Sequence, residues 1–527
     1  MKKPLLVLVL LFVSLTTWAT NYYISPSGSN SSDGRSINTP FQTLQKGHDV
    51  AVGGDTVFVM AGTYSSATTT LLKITQSGSP NAYITYKAYA SQKPKIKISG
   101  NVWNAVTVNG NYIVIDGIEL EGNNDNITYD QAFAAYTNYI NGTAGPLGNF
   151  NTNGFSIGGP NTETRFPHHV VIRNCIVHDF PGGGISSIQA DYTTIENNLV
   201  YNNAWYMMYA GSGISILNPF DSDTVRTYKN IVRNNICHTN KTTIPWVSGR
   251  KLSDGNGIII DVNQYPYNGA PGGVQYVGRT LVENNLCINN GGSGIHSFRA
   301  NHVDIINNTA YQNATIMTDY GNLFVNDGVD VNVFNNINYA ATGKKCNVTT
   351  NKNINVNYGY NTYFNGSVAI QGTNDTVADP KFINPVLDRL SGDFKLQSTS
   401  PAINQGSNVA GQYSLKDMLG IARPQGIKPD RGAYEYTIGT SVPTLNEAEK
   451  ATIFPNPAQK TLTIQLASSP VTHTRLDIVD SAGVVLKTQK LTTQTSIVGV
   501  EELPIGLYMV VVYQNNRVVS VNKFVKN

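Results

Sequence analysis

The chain has 527 residues, 13% of them charged, with a formal net charge of +3 and four cysteines. That charged share is about half the usual ~25%, and so small a surplus argues neither for nucleic acid nor for adhesion to a membrane surface. Four cysteines are too few for a disulfide scaffold, so packing and uncharged polar groups have to hold the fold.

Met1 to Lys3, the apolar run Pro4 to Val13 and the small residues Thr17 to Ala19 read as a secretory signal cleaved after Ala19. The run is too short for a membrane span, and no later segment offers ~18 uninterrupted apolar residues. A soluble, exported monomer is therefore expected. Helical periodicity is nearly absent; one helix is expected over residues 41–51, capping the open end of the repeats downstream.

From Ile172 onward a phrase recurs: an aliphatic residue, a variable residue, then an asparagine pair or near-pair. It stands at Ile172-Arg173-Asn174-Cys175 and again from Ile195, Val232, Val282, Ile305 and Val333, at intervals of 23, 37, 50, 23 and 28 residues. A second phrase, Gly-x-Gly-Ile, falls between at 182–185, 211–214, 255–258 and 292–295. Such self-similarity predicts one supersecondary unit stacked on itself: a coil of three short strands and three turns, as in a parallel β-helix. The aliphatic residues would form inward ladders, and the asparagines would pass amide hydrogen bonds from coil to coil. The intervals of 37 and 50 are a coil plus insertions. Cys237 and Cys287 share one place in their repeats, with Val200 and Ala310 in the same slot, and read as stacked interior thiols with a disulfide as the alternative.

Aligning the Gly-x-Gly-Ile segments gives Ile188, Leu217, Asp261 and Phe298 at one position, so Asp261 interrupts an apolar column and calls for a partner, an outward turn or a cation. Asp254 and Asn256 precede it, Asp221 and Asp223 lie one coil back, and His296 and Arg299 one coil on. These hard oxygens suit Ca²⁺, which gives Asp221, Asp223, Asp254, Asn256 and Asp261 as candidate metal ligands. The loop before the second Gly-x-Gly-Ile segment brings Trp205, Tyr206 and Tyr209, and the insertions at 239–253 and 264–278 bring Trp246, Arg250 and Tyr265, as candidate sugar-binding residues, rings to stack on sugars and cations to hold carboxylates. His178-Asp179 looks like a dyad, but His178, Tyr201, His238 and Tyr311 share a register and read as an outward stack. His168-His169 lacks a third ligand at zinc spacing.

Three reactions remain open for this patch. β-Elimination on a uronate needs its carboxylate neutralised and a base for the α proton. Inverting hydrolysis needs two carboxyls ~6.5–9.5 Å apart, which Asp254 and Asp261 could supply. A non-catalytic glycan-binding solenoid needs neither.

Tyr22-Tyr23-Ile24-Ser25-Pro26-Ser27-Gly28, Pro40 to Gln45, Gly54 to Val57 and Ala61 to Tyr64 resemble the opening of secreted right-handed parallel β-helix proteins, among them the family 9 pectate and rhamnogalacturonan lyases. Asp379 to Phe382, Ser400 to Ile403 and Asp430 to Tyr436 resemble their closing segment. The resemblance implies aspartate-bound Ca²⁺ and a lysine base on a later coil. No lysine stands between Leu252 and Gly343, so the base falls to Arg299, His296, Lys241 or Lys251. Phe454-Pro455-Asn456-Pro457, Asp480 to Gly483, Gly506 to Tyr508 and Lys523 to Lys526 resemble the sorting domain of the type IX secretion system, which implies a Bacteroidota source and that machinery as a partner. The expected organisation is a signal at 1–19, a β-helix at 20–436, a linker at 437–450 and a small β-sandwich at 451–527, acting on an acidic polysaccharide.

Overall fold

The structure, a computed structural model, describes residues 19–159, 166–264, 275–388, 391–437, 451–470, 474–480, 485–514 and 517–527. The expected signal up to residue 18, Tyr265 and the expected linker from residue 438 on lie outside them. Two compact units divide after Tyr436. Among the described residues no helix is long and apolar enough to cross a membrane.

The first unit is a right-handed parallel β-helix of three sheets, two with 11 strands and one with 10. Each coil gives one strand to each sheet in turn, for example Asp191–Glu196 to sheet I, Leu199–Tyr201 to sheet II and Ile214–Leu217 to sheet III. Neighbouring coils pair in parallel, so equivalent residues of the repeat lie side by side. Along each strand alternate side chains turn inward. The aliphatic residues Ile172, Ile195, Val232, Val282, Ile305 and Val333 are all fully buried, and the isoleucines closing Gly-x-Gly-Ile are exposed by no more than 1%.

The two asparagines of each pair have different jobs. The first turns the chain from sheet I to sheet II in the left-handed region, with φ of 55° at Asn174, 57° at Asn197, 56° at Asn234 and 54° at Asn284, a conformation asparagine tolerates. The second points inward and builds a ladder from Asn198 through Asn235, Asn285, Asn308 and Asn336 to Asn361. Each Nδ2 donates to the next Oδ1 at 3.0 Å, and Asp375 accepts the last bond at 3.2 Å. A second ladder runs between sheets II and III through Asn203, Asn240, Asn290, Asn313 and Asn322 at 2.8–3.1 Å. Buried amides are costly unless paired, and each ladder amide bonds to its neighbour, only the terminal Asn322 Nδ2 lacking a partner among the described residues, so the same residue type fixes the register of successive coils.

The expected thiol column is present: Val200, Cys237, Cys287 and Ala310 are successive partners, and both cysteines are free and fully buried. His178, Tyr201 and His238 stack at 4.8 Å, but Ile288 interrupts the register before Tyr311. Tyr311 packs instead against Phe394. The N-terminal end is covered by the helix Leu44–Val50, capped by Thr43, with Leu44 buried in the core. A second helix, Tyr129–Ile140, is a departure from expectation. Thr128 and Gln131 form its capping box, and Ala132 and Tyr136 pack with Ile127, Met208 and Ile244.

The second unit has a three-stranded and a four-stranded antiparallel sheet around Leu462, Ile464, Leu476, Val510 and Phe524.

Candidate active site

The site grows from the outer face of sheet III. In the strand Ile258–Asp261, Ile258 and Ile260 point into the core, so Ile259 and Asp261 point outward. The register Ile188, Leu217, Asp261, Phe298 is as the repeat predicts, but it is an exterior row. Asp261 therefore does not interrupt the core column; it stands in an apolar row on the surface. Val262, next to it, has φ of 48°, a strained conformation for a β-branched residue.

Asp254 lies at the start of the same segment. Gly255 follows with φ of 68°, and a Cβ there would come within 2.7 Å of the Thr242 nitrogen, so only glycine lets the two passes approach. Asp254 and Asp261 act on each other. Desolvation raises Asp261 well above the carboxylate range, the charge of Asp254 adds to this, and Arg299 opposes it. Desolvation raises Asp254 to about 7, partly offset by the Asn256 amide. Tyr320 closes over the pair, bonded to Ser253 and to the Asp254 backbone, and feels both charges. Sequence reasoning missed Tyr320. Its signal is there: Leu323 is in register with Ile295, which places Tyr320 where the previous coil has Gly292.

Of the proposed bases, His296 occupies the outward column between Ile259 and Phe324. It stacks flat on Phe324 at 4.6 Å with Tyr320 edge-on at 5.1 Å, is 2% exposed, and neither ring nitrogen has a hydrogen-bond partner among the described residues. Burial pushes it down to about 3, so it is a neutral wall residue and too weak a base for the reaction. Arg299 lies over the Phe298 ring at 5.0 Å, with Asp327 3.8 Å from its Nε. Lys251 is exposed at the foot of a small bridge with Trp246. Lys241 differs from both. Its Cα would lie 3.0 Å from a Cβ on Gly255, its ammonium sits 5.0 Å above the Trp205 ring, and desolvation lowers its pKa.

The aromatic loops divide. Trp205 donates its ring N–H to the Thr239 carbonyl at 3.1 Å and supports Lys241. Trp246 is 37% exposed, and Arg250 is exposed beside it. Tyr206 and Tyr209 pack against the helix Tyr129–Ile140, so part of their surface is spent on structure.

The expected metal ligands also divide. Asp221 and Asp223 do not join Asp254 and Asp261: both grip the ammonium of Lys229, at 3.0 and 2.9 Å. Asn256 is fully buried and its oxygen accepts the Ser293 N–H at 2.8 Å, so it braces adjacent coils. Asp254 and Asp261 remain, two desolvated carboxyls opposed by one arginine, a donor pair of the kind a hard divalent cation relieves. Among the described residues, the one tight group of metal-type side chains is Glu119, Glu121 and His178 on sheet II, already tied to Lys95, Lys97 and Asp179. His168 and His169 meet each other through their Nδ1 atoms at 2.8 Å, without a third ligand among the described residues.

Comparison with known proteins agrees with this architecture. Residues 22–145 match the model of the Pel9A-like right-handed β-helix region, and residues 452–527 match that of the secretion system C-terminal sorting domain. The two matches cover the opening of the β-helix and the C-terminal unit. That tail marks an exported protein, delivered to the cell surface or beyond by type IX secretion. The chain is similar to pectate lyase L of Paenibacillus polymyxa, 24% identical over 316 residues, covering 57% of this chain and 65% of the relative. It is also similar to pectate lyase PEL9 of Emericella nidulans, 32% identical over 104 residues and 20% of each chain. It thus spans less than two thirds of either relative. Among solved structures, pectate lyase Pel9A aligns over 80% of this chain and 97% of its own, with 17% identity and a TM-score of 0.48. A rhamnogalacturonan lyase aligns over 72% and 96%, with 15% identity and a TM-score of 0.41.

Proposed function

We propose that this β-helix degrades an acidic, uronate-containing polysaccharide such as pectate or rhamnogalacturonan by β-elimination, on the outer face of sheet III. The observation that carries the reading is the Asp254–Asp261 pair: two carboxyls raised together in one desolvated patch, below a half-buried lysine and an aromatic wall. The pectate lyase relatives support the same class.

In this reading Asp254 and Asp261 hold Ca²⁺, which when bound neutralises the substrate carboxylate and makes the α proton more acidic. Trp205 and Trp246 flank the chain of sugars, and Arg299 pairs with a uronate carboxylate. Lys241, with its pKa lowered, takes the α proton; that electron pair forms the new carbon–carbon double bond, the bond to the β oxygen breaks, and the departing hydroxyl takes its proton from water. Lys241 is the base in this reading, since His296 is too weak, Lys251 is solvated and Arg299 is engaged by Asp327 and the Phe298 ring.

One observation favours a second reading. A carboxyl raised to about 7 beside another raised carboxyl is also the signature of an acid–base pair for inverting hydrolysis. Incubation with pectate, rhamnogalacturonan and alginate, with and without chelator, separates the readings. Calcium-dependent release of ultraviolet-absorbing unsaturated sugars is expected. Reducing ends without unsaturation would overturn elimination in favour of hydrolysis, and binding without either product would leave a glycan-binding solenoid. A Bacteroidota origin accords with the sorting domain and belongs to the same proposal.

A further inference from the structure

The wall beside the proposed site does not stop at Trp246. The Val247 N–H donates to the Met208 carbonyl at 2.9 Å, which joins the insertion carrying Trp246 to the loop carrying Tyr209. The Met208 N–H donates to Asn151 Oδ1 at 3.2 Å and ties that loop back toward the N-terminal coils. There the Tyr209 ring meets Trp103, centroids 6.2 Å apart and planes tilted by 44°. Tyr139, from the helix Tyr129–Ile140, stands edge-on to Tyr209 at 6.2 Å. The helix that no repeat predicts thus buttresses a pair of rings.

Trp103 is 42% exposed, a large apolar ring left open to water. Its place in the repeat links it to the carboxyl pair. Asn104 pairs with Asn153, and the registers that follow set Trp103 in one column with Thr152, Gly182, Gly211, Gly255, Gly292 and Tyr320. That column passes Asp254 at Gly255 and ends at the ring that closes over the pair. Trp103 and Tyr320 therefore stand at opposite ends of one corner of the solenoid.

Beside this corner, the outward row of sheet III reads Lys73, Thr107, Ser156, Ser186 and Ser215 before it reaches Ile259, in the strand of Asp261. The row offers small hydroxyls and, at its far end, an exposed lysine, so it presents no negative charge to a uronate. From the strand after Trp103 to the strand of Asp261 is four sheet steps, about 19 Å at ~4.8 Å each.

We propose that Trp103 and Tyr209 form a distal subsite, stacking on the apolar face of a sugar ring about four coils from the Asp254–Asp261 pair, and that this platform makes the protein select long chains over short oligomers. The distance between subsite and chemistry rests on the function proposed above; the platform itself is built by the rings and the helix.

The test compares the full mature chain as wild type, Trp103→Ala and Trp103→Phe on polygalacturonate, rhamnogalacturonan and alginate, each as polymer and as oligomers of graded length. Retention in gels holding the polymer reads binding, and product release from each length reads cleavage. Trp103→Ala is expected to weaken retention and to lower kcat/KM on polymer by about 10-fold, a deficit that shrinks as the oligomers shorten, and Trp103→Phe should recover most of it. Polymer should also change the tryptophan emission of wild type more than that of Trp103→Phe, a readout that stands even if Trp103→Ala does not fold. Equal losses at every length, or no loss on polymer and no difference in emission, would overturn the platform. A wild type that is retained by a polymer but cleaves none would sink the proposed elimination and leave the platform to be decided by retention. A wild type retained by none of the three polymers would overturn the platform itself.

Discussion

Asp254 and Asp261 bracket a single short strand, and the charge of the first makes the second harder to ionise. Among the described residues neither has a bonded cation. Arg299 lowers Asp261, and the Asn256 amide is the largest opposing influence on Asp254. A protein has little structural reason to maintain such a pair, because each ionised carboxyl costs stability wherever it is desolvated. Function is the better account, and it can be tested through stability as well as activity.

Because both carboxyls are raised, the folded state is penalised once they would be ionised in the unfolded chain, and the penalty grows as pH rises toward about 7. Asp254→Asn should therefore melt above wild type near neutral pH and match it in acid, while polysaccharide cleavage falls by a factor of ~10² or more. Calcium should raise the wild-type midpoint and leave that of Asp254→Asn and Asp261→Asn nearly unmoved. Calorimetry across pH, with and without calcium, checks this. Equal or lower stability of both variants at neutral pH would mean that the carboxyls are structural.

Lys241 poses the same contrast with the opposite sign. Its ammonium is desolvated over Trp205, so the folded state is penalised below the lowered folded pKa and relieved as pH rises through it. Lys241→Met should melt higher than wild type at neutral pH, the gap closing in alkali, and should lose elimination by ~10²–10⁴-fold with little change in KM. Lys241→Arg should keep the charge and lose the ascending limb of the pH–rate profile. Full activity in Lys241→Met would remove this lysine from the mechanism.

The asparagine pair allows a sharper test of the fold. Asn197 is exposed with φ of 57°, whereas Asn198 beside it is buried. The Asn198 amide donates to the Ile172 carbonyl and to Asn235 Oδ1, both at 3.0 Å, and its oxygen accepts the Cys175 N–H at 2.9 Å. Asn197→Gly should be nearly neutral, because glycine meets the left-handed requirement without strain. Asn198→Gly breaks three buried hydrogen bonds and should cost about 3 kcal/mol. Denaturant unfolding of the two variants is the comparison; equal costs would mean that the ladder contributes nothing beyond the turn.

The solenoid was legible because its constraint repeats. Each coil needs an inward aliphatic and a ladder amide in the same place, so one coil's noise is averaged out by the next. The second ladder carried the same signal: Asn203, Asn240, Asn290 and Asn313 each stand five residues beyond a member of the first. What failed to show was whatever broke the period. The face of Asp261 depends on whether Ile258 or Ile259 turns inward, and a period of two leaves that open where both are isoleucine. The helix Tyr129–Ile140 sits in an insertion with no sister to compare. The grip of Asp221 and Asp223 on Lys229 depends on one slipped residue in a ladder, which no spacing rule carries. His296 appeared as a base because residue type was legible, while its apolar surroundings on the assembled face were not.

On sheet II, His178 gives a pH-dependent marker far from the proposed chemistry. Desolvation works against its charge, but hydrogen bonds and charge from Asp179, 2.7 Å from its Nδ1, and Glu119, 3.3 Å from its Nε2, prevail and raise its pKa. A raised histidine contributes stability that is fully present below its unfolded value of about 6.5 and fades as pH rises through the folded value. His178→Phe keeps a flat ring against Tyr201, whose stacking distance is 4.8 Å, but cannot titrate. Glu119 would still have Lys95 at 2.8 Å, so the variant leaves one carboxylate paired. The excess stability of wild type over His178→Phe should be greatest in mild acid and shrink steadily toward alkaline pH. A gap that stayed constant, or widened with pH, would show that the imidazole is held neutral and that the Asp179 contact carries no charge.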